Sequence, residues 1–223
     1  MRHIWPIWKQ TCFLLLLQVP FMAAVLPDVG SAAPKSKAPA SSHAVESKMA
    51  YCQTCHGPSG RGFHGYYPIP RLAGQQPEYS INQVKAFAER RRTNNIMFNV
   101  AHDLDAGTLT ALVKRFSELN PPPLGGPSKT LAPAGKKLYE EGIPDASIPP
   151  CAGCHGPEAK GRDQIPRLAG QLPEYVLNKL KNWSKERGQD PKNPDMSAVM
   201  EPIAHGLTEK QIREVAAYVS SLK

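Results

Sequence analysis

The stretch "CQTCHG", beginning at Cys52, sets two thiols and an imidazole within five residues, and "CAGCHG", beginning at Cys151, repeats the arrangement. Two cysteines three apart with histidine next can serve three chemistries: zinc binding, dithiol redox exchange, or covalent haem attachment. In the third, Cys52 and Cys55, or Cys151 and Cys154, add to the two vinyl groups as thioethers, and His56 or His155 ligates iron. The immediate histidine favours this third chemistry. A thioredoxin-like site wants a βαβ setting, and a zinc finger sets its second ligand pair farther along the chain.

A haem iron held by one histidine needs a sixth ligand. Met97 and Met200 stand 41 and 45 residues after their histidines, each just before the last helical pattern of its half, with Met196 a rival to Met200. His102 and His205 are also symmetric, and imidazole binds iron, so a bis-histidine arrangement is the alternative. His43 and His64 have no counterparts and are expected at the surface.

These residues are carried by a duplicated chain. "IPRLAGQQPEY" (69–79) recurs as "IPRLAGQLPEY" (165–175), and "IMFNVAHDL" (96–104) lies against "VMEPIAHGL" (199–207). Leu109, Leu112, Val113 and Phe116 recur as Ile212, Val215, Ala216 and Val219, the spacing of an amphipathic helix. Each half reads as a short helix leading into the motif, a Pro- and Gly-rich loop, a middle helix, a methionine loop and a terminal helix. Pro77 and Pro173 suit a first helical turn, and Thr208 with Gln211 forms a capping-box start. No strand pattern competes, so the fold class is all-α. The expected division is a leader over 1–33, a linker over 34–43, a domain over 44–119, a stiff connector "NPPPLGGPSK" over 120–129 and a second domain over 130–223. Each half has few large apolar residues, and burying a large apolar cofactor would supply the missing core.

The leader has Arg2, His3 and Lys9 before the run "CFLLLLQVPFMAAVL" and the small residues "VGSAA", the shape of a secretory signal. Cleavage is expected after Ala32 or Ala33, because Pro6 and Pro20 interrupt the stretch from Ile4 to Leu26; the alternative is that this stretch is a retained membrane anchor. Cys12 leaves with the signal, so all four mature cysteines lie in the two motifs. Removing Arg2, Lys9 and Asp28 from 27 basic and 19 acidic residues leaves a formal charge of +7. One basic run, "ERRRTNN", is a poor nucleic-acid footprint, and that class is set aside. A basic surface on an exported protein suits docking on acidic proteins, and is compatible with peripheral association with anionic lipid.

"GKKLYEEGIPDASIPPCAGCHGPEAKG", the two "IPRLAGQ" segments and the two methionine segments resemble the dihaem cytochrome c4 family, two class I cytochrome c domains in tandem, over roughly residues 44–223. The resemblance implies two covalently attached haem c groups, His/Met ligation at both irons, and haem propionate edges facing one another across the domains. It implies a periplasmic carrier of single electrons, with a respiratory complex or dehydrogenase as donor and an oxidase or reductase as acceptor, the flow running towards a terminal oxidase. It gives Pro70 and Pro166 a role, their carbonyls accepting a hydrogen bond from the second imidazole nitrogen of His56 and His155, and makes Arg71 and Arg167 propionate partners. Trp183, aligned with Phe87, would pack on porphyrin. The rival is a dihaem oxidoreductase such as a thiosulfate dehydrogenase or peroxidase, which needs an open or unusual iron ligand; a cysteine ligand is excluded because no spare mature cysteine exists. The tail "PKSKAPASSHAVESK" and the three-residue-longer loop "FHGYYPIP" depart from the family pattern and bear on partner choice.

Overall fold

In the first half four helices follow one another, each started by a local device that its sequence supplies. The computed structural model describes residues 41–125, 128–187 and 196–223; the expected leader, 1–33, and residues 34–40 of the expected linker lie outside the described residues. Ser41 caps α1 (Ser42–His56), its hydroxyl accepting the Ala44 N–H at 3.2 Å, so this helix takes in Ser42 and His43 from the segment read as linker. In α2 (Pro77–Ala88) Pro77 occupies the first turn, where its missing N–H would have had no helical partner. Asn94 caps α3 (Asn95–His102), accepting the Met97 N–H at 2.9 Å. Asp105 caps α4 (Ala106–Ser117), accepting from the Gly107 and Thr108 N–H groups at 3.0 Å each.

The second half contains α5 (Ala132–Glu141), α6 (Ala152–His155), α7 (Pro173–Lys181), α8 (Trp183–Glu186), α9 (Met200–Gly206) and α10 (Glu209–Ser221). The expected capping box begins α10: the Thr208 hydroxyl accepts the Gln211 N–H at 3.3 Å, and Gln211 Oε1 accepts the Thr208 N–H at 2.8 Å. Among the described residues there is no strand, only isolated bridges, so the fold is all-α.

The halves differ before the motif. α1 runs unbroken through Cys52, Cys55 and His56. In the second half α5 stops at Glu141, and an antiparallel bridge from Ile143 to Ile148 closes a loop before α6. Pro144, Pro149 and Pro150 explain the break, since none has an N–H to extend a helical ladder.

In each half the first helix packs on the last. Val45 and Met49 of α1, one helical turn apart, meet Leu112 and Phe116 of α4, and these four form one buried apolar cluster of this half. The cluster is small, in keeping with a half that needs a cofactor to complete its interior. Leu138 and Tyr139 of α5 lie against Val215, Ala216 and Val219 of α10. These two helices approach backbone to backbone at Gly135, where a Cβ would fall 1.9 Å from the Glu214 carbonyl oxygen.

Both halves lie within one compact unit, Lys37–Lys223. Gln83 Oε1 accepts from Arg92 Nη1 at 2.7 Å and from Arg187 Nη2 of the other half at 3.1 Å. Arg92 Nη2 donates to the Tyr175 hydroxyl at 2.7 Å, and the Thr93 N–H donates to the Glu186 carbonyl at 2.8 Å.

Replacing Gly135 by alanine should push α5 off α10 and destabilise the haem-bearing protein by about 1–3 kcal/mol, the usual cost of overpacking. A urea titration followed by far-ultraviolet circular dichroism reads this as a lower midpoint; an unchanged midpoint contradicts the backbone contact.

Candidate functional site

The two motifs lie in matching frames. Cys52, Cys55 and His56 end α1, while Cys151 opens the turn of α6 that carries Cys154 and His155. After each histidine a glycine takes positive φ, 77° at Gly57 and 80° at Gly156, a conformation that side chains disfavour. The chain then folds back: the Gly62 N–H reaches the His56 carbonyl at 2.7 Å, and the Gly161 N–H reaches the His155 carbonyl at 2.9 Å. The Leu72 and Ala73 N–H groups share the Gly60 carbonyl, as those of Leu168 and Ala169 share that of Ala159. These bonds bring each "IPRLAGQ" segment against its histidine.

His56 and His155 are 9% and 6% exposed. His56 Nδ1 lies 2.9 Å from the Pro70 carbonyl oxygen, and His155 Nδ1 lies 3.0 Å from that of Pro166. A carbonyl only accepts, so Nδ1 carries the proton and Nε2 keeps a free lone pair. Burial lowers the pKa of both imidazoles, against the smaller upward pull of the carbonyl bonds. Each is therefore a neutral imidazole with its Nε2 lone pair held in one direction, as a metal ligand requires.

The four cysteines are unpaired, Cys55 and Cys154 exposed and Cys52 and Cys151 half-buried. Burial raises the Cys52 thiol and pushes that of Cys151 up to about 11. Dithiol exchange needs a stabilised thiolate, the opposite shift. Among the described residues no three His, Cys, Asp or Glu side chains converge as a metal site. Haem attachment makes neither demand. Beside Cys52 a cavity of about 280 Å³ opens between α1 and α3, walled by Tyr51, Ile96, Val100 and Leu104.

Met97 and Met200 differ from expectation in their setting: each stands in the first turn of a helix, α3 and α9, rather than on a loop. The Asn94 cap explains the first helix. Both are half-buried, whereas Met196, in the preceding Met196–Val199 turn, is 56% exposed. His102 and His205 are exposed; His102 Nδ1 bonds the Phe98 carbonyl at 2.9 Å, and His205 Nε2 lies 2.7 Å from Ser184 Oγ. His43 is exposed, and so is His64, whose Nδ1 lies 3.2 Å from Glu174 Oε2 across the halves. The aligned aromatics each carry a guanidinium on one face, Arg92 at 4.7 Å from the Phe87 centroid and Arg187 at 4.4 Å from that of Trp183.

Arg71 and Arg167 are buried where the halves meet. Arg71 donates to the Ala73 carbonyl at 3.0 Å, the Pro121 carbonyl at 2.9 Å and Asn120 Oδ1 at 3.3 Å. Burial first, then the charges of Arg167 and Arg61, push its pKa down to about 10. Arg167 Nε donates to the Ala169 carbonyl at 3.1 Å, but its Nη2 is buried without a hydrogen-bond partner, as is Arg61 Nε. Among the described residues no carboxylate pairs with any of these three guanidiniums. Orphaned cationic donors beside two imidazole cradles fit the carboxylates of haem propionates. Sequence reading missed Arg61; its signal is its place in the turn that closes on His56.

A cytochrome c family model matches residues 132–223. Cytochrome c-552 of Acidithiobacillus ferridurans is 36% identical over 77% of this chain and 73% of its own length. A thiosulfate dehydrogenase electron acceptor of Thiomonas intermedia is 35% identical over 82% of this chain and 84% of its own. The solved structure of Acidithiobacillus ferrooxidans cytochrome c4 is 34% identical, covers 78% of this chain and 99% of its own, and superposes with a TM-score of 0.65.

The two cradles predict an intact mass equal to the mature chain plus two haems, with colour retained in the protein after extraction with acid acetone. Colour passing into the acetone, or a mass increase of one haem, contradicts this.

Proposed function

Because this chain belongs to the cytochrome c4 family of electron carriers, with covalently attached haem c, we propose that it relays single electrons between redox proteins in the periplasm and turns over no substrate of its own. The observation that carries this reading is the pair of matching cradles, each with a buried neutral imidazole and two unpaired thiols, in halves that each also hold a half-buried methionine. The haem iron, when bound, supplies the reversible one-electron change; everything else falls to the chain.

Cys52 and Cys55, and Cys151 and Cys154, would hold the two haems covalently as thioethers. His56 and His155, oriented by the Pro70 and Pro166 carbonyls at Nδ1, would bind iron through Nε2. Met97 and Met200 would each supply a thioether as the second protein ligand to an iron. A thioether stabilises ferrous iron relative to a second imidazole, which sets both centres at the high-potential end of the haem range. Arg71 and Arg167, with Arg61, neutralise propionates. The halves act as domains over 44–119 and 130–223, joined by the 120–129 connector, and the leader with its small-residue end directs export.

The donor is a respiratory complex or dehydrogenase, and the acceptor an oxidase or reductase, the flow running towards a terminal oxidase. The Thiomonas intermedia relative favours one specific variant of this, in which the donor is a thiosulfate dehydrogenase and this chain its electron acceptor. The chain itself being that enzyme, or a peroxidase, would require an open iron, and both halves offer a methionine to close it.

Met97→Ala or Met200→Ala should each remove about half of the near-infrared iron–thioether absorption of the oxidised protein, since each half carries its own ligand set. Retention of the full band in Met200→Ala, with half lost in Met196→Ala, reverses the choice between those two residues. Stopped-flow reduction by an acidic redox protein should slow as salt rises, the Debye length shrinking to about 10 Å at 0.1 M. In parallel assays the purified protein should turn over neither thiosulfate nor peroxide; steady turnover of either overturns the carrier reading.

A further inference from the structure

The two "IPRLAGQ" segments cross where the halves meet, and each ends in a glutamine that clasps the other. Gln171 Oε1 accepts the Arg71 N–H at 2.8 Å, and its Nε2 donates to the Arg71 carbonyl at 3.1 Å. Gln75 repeats this on Arg167, Oε1 accepting the N–H at 2.7 Å and Nε2 donating to the carbonyl at 3.0 Å. All four residues are buried. Each Oε1 also accepts an N–H from its own half, that of Gln76 at 2.9 Å or Leu172 at 3.0 Å, which ties the carboxamides to the starts of α2 and α7.

The clasped N–H groups are not arbitrary. The Arg71 N–H belongs to the same planar peptide as the Pro70 carbonyl, which accepts from His56 Nδ1 at 2.9 Å. One peptide group thus holds a histidine of the first half at its oxygen and a glutamine of the second half at its nitrogen. The Pro166–Arg167 peptide does the reverse, with His155 at its oxygen and Gln75 at its nitrogen.

Hydrogen bonds in a chain polarise one another, by about 10–30% per bond. An acceptor on the peptide N–H makes the carbonyl oxygen more negative and a stronger partner for imidazole Nδ1–H. That raises the basicity of the ligating nitrogen, which favours ferric over ferrous iron.

We propose that Gln171 and Gln75 are crossed positioning residues: Gln171 lowers the reduction potential of the haem on His56, and Gln75 that of the haem on His155. The proposal rests on the reading of these histidines as iron ligands. It makes each centre sense the packing of the opposite half, so that loosening the contact between halves raises both potentials.

The test is a potentiometric titration of the haem-bearing protein, with the two centres assigned through Met97→His and Met200→His, each of which should lower one potential alone. Gln171→Leu, similar in size but without the amide, should increase the reduction equilibrium constant of the His56 centre about threefold or more and leave the other within a factor of two. Gln75→Leu should do the same with the centres exchanged. Gln171→Glu, which keeps the acceptor oxygen, should return the His56 centre to its original potential or below it. A shift confined to the glutamine's own half, equal shifts in both centres, or no shift in either leucine variant overturns the proposal. If the two axial variants fail to move one potential each, it is the ligand reading that fails.

Discussion

A buried imidazole with one nitrogen committed to a backbone carbonyl has a single lone pair left to offer and a fixed direction in which to offer it. At His56 and His155 that commitment is made to Pro70 and Pro166, and much of the surrounding chain serves to maintain it. The positive-φ glycines turn the chain after each motif, and paired N–H groups from 72–73 and 168–169 close the loop onto Gly60 and Ala159. A proline suits the acceptor position because its fixed φ limits how the carbonyl can move, and it brings no N–H of its own. Burial works in the same direction by keeping the imidazole neutral, which a metal ligand must be.

The second constraint is electrostatic. Three guanidiniums, from Arg61, Arg71 and Arg167, stand close enough where the halves meet for the charges of Arg61 and Arg167 to depress Arg71. Carbonyls satisfy part of the Arg71 and Arg167 donor sets, but they cannot offset net charge, and two buried N–H groups have no acceptor. Such an arrangement is costly in a bare polypeptide. It becomes favourable when carboxylates enter, as the propionates of two bound haems would. The fold would therefore lean on the cofactor: a haem would add to an interior in which Val45, Met49, Leu112 and Phe116 form a small cluster of the first half, and its propionates would offset a charge that no carboxylate balances among the described residues.

Much of this was legible in sequence because it is local. The spacing of cysteines and histidine, the amphipathic pattern of α4 and α10, and the Thr208–Gln211 capping box are properties of a few neighbouring residues. The different entries to the two motifs were less legible: Pro144, Pro149 and Pro150 break the second, while nothing in 42–56 interrupts the first, and a single description of both halves missed the contrast. Helical capping by Asn94 turned a segment read as a loop into α3. The Gln75 and Gln171 clasps were not legible at all. They join residues about a hundred positions apart, and their partners are backbone groups, which carry no residue signature.

Proton magnetic resonance of the fully reduced protein tests the central claim most directly, because a methionine methyl held over a haem is shifted far upfield by the ring current. The account predicts two separate three-proton resonances beyond the ordinary methyl range, one lost in a Met97 variant and the other in a Met200 variant. A single such resonance, or none, would contradict two closed His/Met centres in this chain.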